Sequence, residues 1–294
     1  MALHQNTIAS KIDNHINQGL ALEVLKTLPD NVFDCGVTSP PYNKQEKNKG
    51  WLVKNVVYDN YKDVLPEEEY QEDQIAVLNE LYRTTKVGGH FFYNHKIRWE
   101  RGEMLHPMQW LLKTKWQIRQ EIIWDRTIAA NIRGWRFWQV EERIYWLCKP
   151  QDDNLIGEEL KSKHALMTSI WRFKPEQKVK HPAPFPLELP IRCIYSVLDE
   201  KKDCNIIDPY SGSGTTALAA KFLGHNYCGI EMSDEYIKMA NLRLRNYLEE
   251  KDRFDDEISK HKVIKTFTER KKDKIDKIFF SRQNNQPKSL FDFV

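Results

Sequence analysis

The run Asn205-Ile-Ile-Asp-Pro-Tyr-Ser-Gly-Ser-Gly-Thr-Thr-Ala-Leu-Ala-Ala-Lys221 limits what this chain can fold into more than any other segment. An apolar stretch, a glycine turn and a helix start follow one another directly. Gly212 and Gly214 allow a tight turn and close approach of a ligand, and the exposed N–H groups of the helix start favour a polar or anionic group. The next apolar run, Tyr227-Cys-Gly-Ile-Glu231, ends on a carboxylate about 20 residues beyond the first glycine, where nucleoside-binding α/β units place a ribose-hydroxyl acceptor. The pattern fails GxxxxGK[ST], which argues against a phosphate-cradling loop. Ala217 stands at the third glycine of GxGxxG, a change that NAD enzymes tolerate, so a nicotinamide oxidoreductase stays open on this motif alone. So does a glycine turn that merely joins strand to helix.

The rest of the chain repeats the alternation. Strands are expected over Val32–Thr38, His90–Asn94, Glu121–Trp124, Ile144–Cys148, Asn205–Asp208 and Asn226–Glu231. Helices are expected over Glu67–Thr85, ending at Gly88-Gly89, over Thr215–Leu223 and over Asp234–Leu248. Such alternation predicts an α/β fold, a mostly parallel sheet covered on both faces. The 294 residues, 40% of them hydrophobic, allow a substantial core. No apolar run approaches the ~20 residues of a membrane span and the N-terminus lacks a secretory pattern, so a cytoplasmic location is expected. The five cysteines have no ligand spacing, predicting buried thiols and no metal, and the net charge of +3 requires no polyanionic partner. Residues 1–250 read as one catalytic domain with an insertion at about 126–163. Residues 251–294 read as a charged extension of roughly one helix and a tail, its charges on a solvated face.

A second motif suggests chemistry. In Val32-Phe-Asp-Cys-Gly-Val-Thr-Ser-Pro-Pro-Tyr-Asn43, two prolines stop a buried strand and leave carbonyls outside any ladder. Pro-Pro is also a common strand breaker. An exocyclic amine conjugated to a base ring is a weak nucleophile, and a catalyst must accept its hydrogens. Ser39 and the Pro40 carbonyl, backed by Pro41, are candidates for that task, and Tyr42 for stacking on a planar base.

Thr38-Ser-Pro-Pro-Tyr-Asn43 resembles motif IV of the amino-DNA methyltransferases, and Asp208-Pro-Tyr-Ser-Gly-Ser-Gly214 resembles their motif I. Motif IV precedes motif I, as in the permuted β class of restriction-modification enzymes. Val87–His95, Glu121–Asp125 and His181–Pro186 are similar to the segments between, and the likeness spans about residues 16–246. The resemblance implies a Rossmann-like fold that binds S-adenosylmethionine. Asp208, Tyr210, Gly212, Gly214, Thr215 and Thr216 would hold the cofactor together with Glu231 and Met232, while His181, Pro182 and Phe185 would close over its methionine part. Leu20 departs from the pattern, since relatives often carry aspartate there; Asn17 and Gln18 are candidate substitutes.

Ser39, Pro40, Pro41 and Tyr42 would then receive a flipped base. Serine before Pro-Pro is more usual for cytosine N4 in this family, and aspartate for adenine N6, so N4-methylcytosine is the expected product and N6-methyladenine the alternative. No Pro-Cys pair occurs, which argues against cytosine C5 chemistry. Duplex DNA is the expected partner, with a homodimer and a cognate restriction endonuclease as candidates. DNA contacts are expected from Asn43, Lys44, Lys47, Lys49 and Trp51, and target recognition from Arg133, Trp135, Arg136 and Trp138. A solvated loop and local core packing are the respective alternatives. The tail Gln286–Phe293 has a loose likeness to a sliding-clamp peptide, with docking of a hydrophobic tail on its own domain or on a second subunit as the favoured alternative.

Overall fold

The computed structural model describes residues 12–43, 64–129, 134–151, 168–176, 184–261 and 272. In chain order the elements are β1 (His15–Gln18), α1 (Ala21–Lys26), β2 (Phe33–Thr38), α2 (Glu67–Thr84), β3 (Thr85–His95), β4 (Arg98–Glu100), β5 (Glu103–Leu105), α3 (Met108–Leu111), β6 (Gln117–Asp125) and β7 (Glu141–Cys148). They continue with β8 (Ile170–Arg172), α4 (Glu188–Leu198), β9 (Asn205–Asp208), α5 (Thr215–Leu223), β10 (Asn226–Glu231), α6 (Asp234–Arg245), a 3-10 turn (Tyr247–Glu250) and α7 (Lys251–His261).

Eight strands form one sheet in the order β1-β10-β9-β2-β3-β7-β6-β8. β7 alone among them runs against its neighbours, β3 and β6; the other pairings are parallel. The mostly parallel α/β sheet expected from the alternation is what forms. Its two faces are filled alternately, with Phe92 and Ile206 packed on the side of α4 and α5 and Phe91, Tyr93 and Ile207 on the side of α1 and α2.

α2 shows why these residues make a helix here. Pro66 precedes it, three glutamates occupy its first turn, and Tyr70, Gln74, Val77, Leu78 and Leu81 form a buried stripe at helical spacing. It ends at Thr84 and passes straight into β3, so Gly88 and Gly89 lie inside a strand and do not follow a helix as expected. Gly88 N and Gly89 O pair there with Lys149 at 2.9 and 3.0 Å. The helix expected to reach Leu248 stops at Arg245. Residues 141–148, inside the expected insertion, are a sheet strand between β3 and β6.

Gly36 in β2 sets the spacing of the central strands. A Cβ there would lie 2.4 Å from the Phe91 ring and 2.8 Å from Ile207 Cγ2. Gly36→Val is therefore expected to destabilise the protein by about 1–3 kcal/mol through overpacking, read by urea unfolding; an unchanged midpoint would show that Phe91 can move aside.

The order of the strands also fixes where a ligand can enter. β2 continues to β3 on one side and β9 to β10 on the other, so the connections diverge between β9 and β2. In open α/β sheets the crevice beyond the carboxyl ends at such a point is the ligand site.

Candidate active site

Both sequence motifs meet at this crevice. Thr38, the last residue of β2, donates its hydroxyl to Asp208 Oδ1, the last residue of β9, at 2.6 Å. Thr216 donates to Val37 O at 3.1 Å, so the start of α5 is also tied to β2. Gly214, at φ +75°, caps α5 in a left-handed conformation, and a Cβ there would sit 2.9 Å from Ala240 Cβ of α6.

Glu231 ends β10 and is oriented by three backbone amides: Gly212 N reaches Oε2 at 2.8 Å, and Met232 N and Ser233 N each reach Oε1 at 2.9 Å. Its side chain is half-buried, which leaves lone pairs able to accept from a diol. Asp208 is buried and its carboxyl is pushed up to about 6. Burial is the main cause, resisted by hydrogen bonds from Thr38 and the Tyr210 amide and reinforced by the charge of Glu231. Residues 208–216 contain no lysine or arginine, and the carboxylates of Asp208 and Glu231 flank the loop, which suits a nucleoside with a cationic centre and disfavours a phosphate. On this ground the cradle fits S-adenosylmethionine.

Not every residue expected at the cofactor presents its side chain. Thr215 accepts from Arg243 at 2.8 Å, and Thr216 is occupied by Val37 O; both are buried. Tyr210 accepts at its hydroxyl from Gln74 at 3.4 Å. Phe185 is buried against the sheet, while His181 and Pro182 lie outside the described residues. Leu20 is 55% exposed, just beyond Gln18, which pairs in register with Glu231. Asn17 is directed at its sheet neighbour, donating to Gly229 O at 3.3 Å, whereas Gln18 is exposed beside the cradle.

Beyond β2, Ser39 Oγ lies 2.6 Å from the Tyr42 hydroxyl, which donates to Glu142 Oε2 at 2.9 Å. Asn94 Nδ2 faces Ser39 Oγ at 3.2 Å and both Tyr42 OH and Glu142 Oε2 at 2.9 Å. Arg126 pairs with Glu142 Oε1 at 3.1 Å. Tyr42, expected to stack on a base, is 6% exposed, and its ring lies 4.5 Å from that of His95. Pro41 O accepts from the Tyr70 hydroxyl at 2.9 Å, which also lies 2.7 Å from His95 Nε2. Asn94, Glu142, Arg126, Tyr70 and His95 were not read from the sequence. The signal for them was topological: Asn94 and His95 end the strand beside β2, and β7 begins where β3 ends.

Asn43, expected at DNA, is buried at a φ of +50° and spans the ends of the segment that follows it. Its Oδ1 accepts from Leu65 N at 2.7 Å and its Nδ2 donates to Leu65 O at 3.0 Å. Lys44, Lys47, Lys49, Trp51 and Arg133 lie outside the described residues, as does the clamp-like tail. Trp135 and Trp138 are exposed, and the Arg136 guanidinium sits 3.8 Å from the centre of the Trp99 ring. Four of the five cysteines are buried and Cys204 is partly so. No cluster of metal-ligating side chains occurs among the described residues, and no helix among them is long and apolar enough to cross a membrane.

Residues 33–242 match the family model of the N6/N4 methyltransferases, described as DNA methylase. This chain belongs to that family, whose members are S-adenosylmethionine-dependent methyltransferases. It is 28% identical over 258 residues to the type II methyltransferase M.ScaI of Streptomyces caespitosus, covering 77% of this chain and 79% of that protein. It is likewise 28% identical over 258 residues to the type II methyltransferase M.HinfI of Haemophilus influenzae, covering 79% and 68%. Among solved structures, the cytosine-N4-specific PvuII DNA methyltransferase superposes at a TM-score of 0.62 with 16% identity, over 82% of this chain and 95% of that one. A DNA modification methylase of Thermus thermophilus, complexed with S-adenosyl-L-methionine, superposes at 0.57 with 23% identity, over 80% and 94%. These two share the Rossmann-like fold expected from the motifs. The family match sets the nicotinamide alternative aside.

Proposed function

We propose that this protein methylates the exocyclic N4 of cytosine in duplex DNA, as the modification enzyme of a type II restriction system. The observation that carries the base choice is Ser39, a neutral hydroxyl at the carboxyl end of β2, one residue beyond the Thr38–Asp208 bond that joins the two motifs. Gly212, Gly214 and Glu231 would hold S-adenosylmethionine, which would supply a methyl group activated by its positively charged sulfur. The chain's own residues prepare the other reactant. Ser39 Oγ and the Pro40 carbonyl accept the amine hydrogens, drawing the nitrogen lone pair out of conjugation, and the rate gain comes from this positioning. The exposed rings of Trp135, Phe137 and Trp138, with the partly buried Arg136 among them, precede β7 and the site, which supports a DNA-facing role for Trp135, Arg136 and Trp138.

Incubation with S-adenosylmethionine and unmethylated genomic DNA, followed by mass spectrometry of the nucleosides, tests the reading. N4-methylcytosine is expected from the wild type, and Ser39→Ala is expected to lower its yield about 100-fold or more at early times. N6-methyladenine alone would overturn the base choice.

A further inference from the structure

Glu142 is 7% exposed, and the charge of a buried carboxylate is costly unless it is paired and hydrogen-bonded. Its position follows from the reversal of β7. Asn94 of β3 stands opposite Ile144, and Glu142, two residues before Ile144, shares that face of the sheet at the mouth of the crevice. Arg126, just past β6, holds one carboxylate oxygen and leaves the other to Tyr42 and Asn94.

The carboxylate gives the chain of hydroxyls a direction. A carboxylate only accepts, so the single Tyr42 hydroxyl proton goes to Glu142. The Ser39–Tyr42 contact is then made by the Ser39 proton. Asn94 Nδ2 donates into this cluster, and turning the amide over would set its oxygen against the Glu142 carboxylate. Ser39 thus has its proton committed to Tyr42 and keeps a lone pair for an incoming N–H.

We propose that Glu142 is the terminal acceptor of the proton lost by the target amine, reached through Ser39 and Tyr42, with Asn94 and Arg126 as positioning residues. This rests on the amino-methyltransferase reading above. The amine lone pair forms the new bond to the methyl carbon, the C–S bonding pair stays on sulfur, and the positive charge passes to the nitrogen. The nitrogen then gives one proton to Ser39 Oγ and keeps the N–H bonding pair. Ser39 passes its own proton to Tyr42, and Tyr42 passes its proton to Glu142 Oε2. A cationic nitrogen and a carboxylate become a neutral methylamino base and a neutral carboxylic acid, which returns its proton to water after turnover.

The test is single-turnover methyl transfer to DNA by the wild type, Glu142→Gln and Tyr42→Phe, with DNA affinity and nucleoside products measured alongside. Tyr42→Phe keeps the ring and the Arg126–Glu142 pair, so it covers the case in which Glu142→Gln folds poorly. Both variants are expected to lose about 100- to 1000-fold in rate, with DNA affinity within about threefold. The loss is expected in the rate of methyl transfer at saturating cofactor and DNA, which a residue that only shaped the DNA-binding surface would leave unchanged. His95 and Lys96, which lie against the Tyr42 ring, and Arg126 are unchanged in both variants, so a full rate in Tyr42→Phe alone shows that the amine proton leaves by another route and overturns the proposal. Wild-type rates in both variants, or a loss confined to DNA affinity, also overturn it. A wild type that methylates no base removes the amino-methyltransferase reading and the relay together. A wild type that makes N6-methyladenine removes only the cytosine choice, and the loss in the variants still supports the relay.

Discussion

Glu257→Ala is expected to destabilise the protein by about 3–5 kcal/mol, the cost of leaving a buried charge without its partner. Glu257 lies on α7 and is 1% exposed, with both of its carboxylate oxygens engaged by the Arg192 guanidinium of α4. Arg192 is itself nearly buried, its guanidinium 4.8 Å from the Phe173 ring centre and 5.6 Å from that of Trp171. The neighbouring contacts make the helix part of the core. Ile258 is buried, Phe254 stacks on Phe222 at 4.8 Å, and Arg253 bonds Glu176 and Glu188 at 2.8 and 3.0 Å. Urea unfolding of the single variant and of Arg192→Leu with Glu257→Leu separates the pair from its burial. The double variant is expected to regain most of the loss, because no charge is then left uncompensated. A single variant that loses less than about 1 kcal/mol would show that water reaches Arg192 when the helix shifts.

That helix marks where sequence reasoning reached its limit. Its charges were expected on a solvated face, yet Arg253 and Glu257 sit on the inward side with Phe254 and Ile258, and only the partners on α4 distinguish the two cases. β9, α5 and β10 were legible to the residue because apolar runs there are bounded by polar or glycine turns. α4 was not, since Pro190 reads as a breaker in its first turn and the polar Arg192 and Ser196 are buried along with the apolar residues, which blurs the boundary of its inward face. β1 is four residues long with two of them buried, too little for alternation to show. The glycine loop and the Ser-Pro-Pro-Tyr turn were legible because each is a contiguous motif. The Asn94–Glu142 contact joins positions 48 apart in the sequence, and β7 falls in the stretch expected to be an insertion, so neither residue stood out.

Asp208→Asn is expected to gain stability relative to the wild type by about 3 kcal/mol between pH 4 and pH 7, the energy of a displacement of about two pH units. The sign follows from the direction of the shift. The unfolded carboxyl titrates near its ordinary value, while in the folded protein burial moves it up to about 6. Between these values the native state binds the extra proton. The contribution of Asp208 to stability therefore falls as pH rises through this window, and the full cost is present above about pH 6. Asparagine keeps an oxygen for the Thr38 hydroxyl and the Tyr210 amide and has no charge to desolvate. Urea unfolding of both proteins at pH 4, 5, 6 and 7 reads the difference, and parallel curves would show that Asp208 titrates near its ordinary value. A carboxylate maintained at neutral pH against its own burial is suited to a ligand that carries positive charge. S-adenosylmethionine is net cationic, so its affinity for the wild type is expected to rise with pH up to about 6 and then level off, and Asp208→Asn is expected to remove this rise.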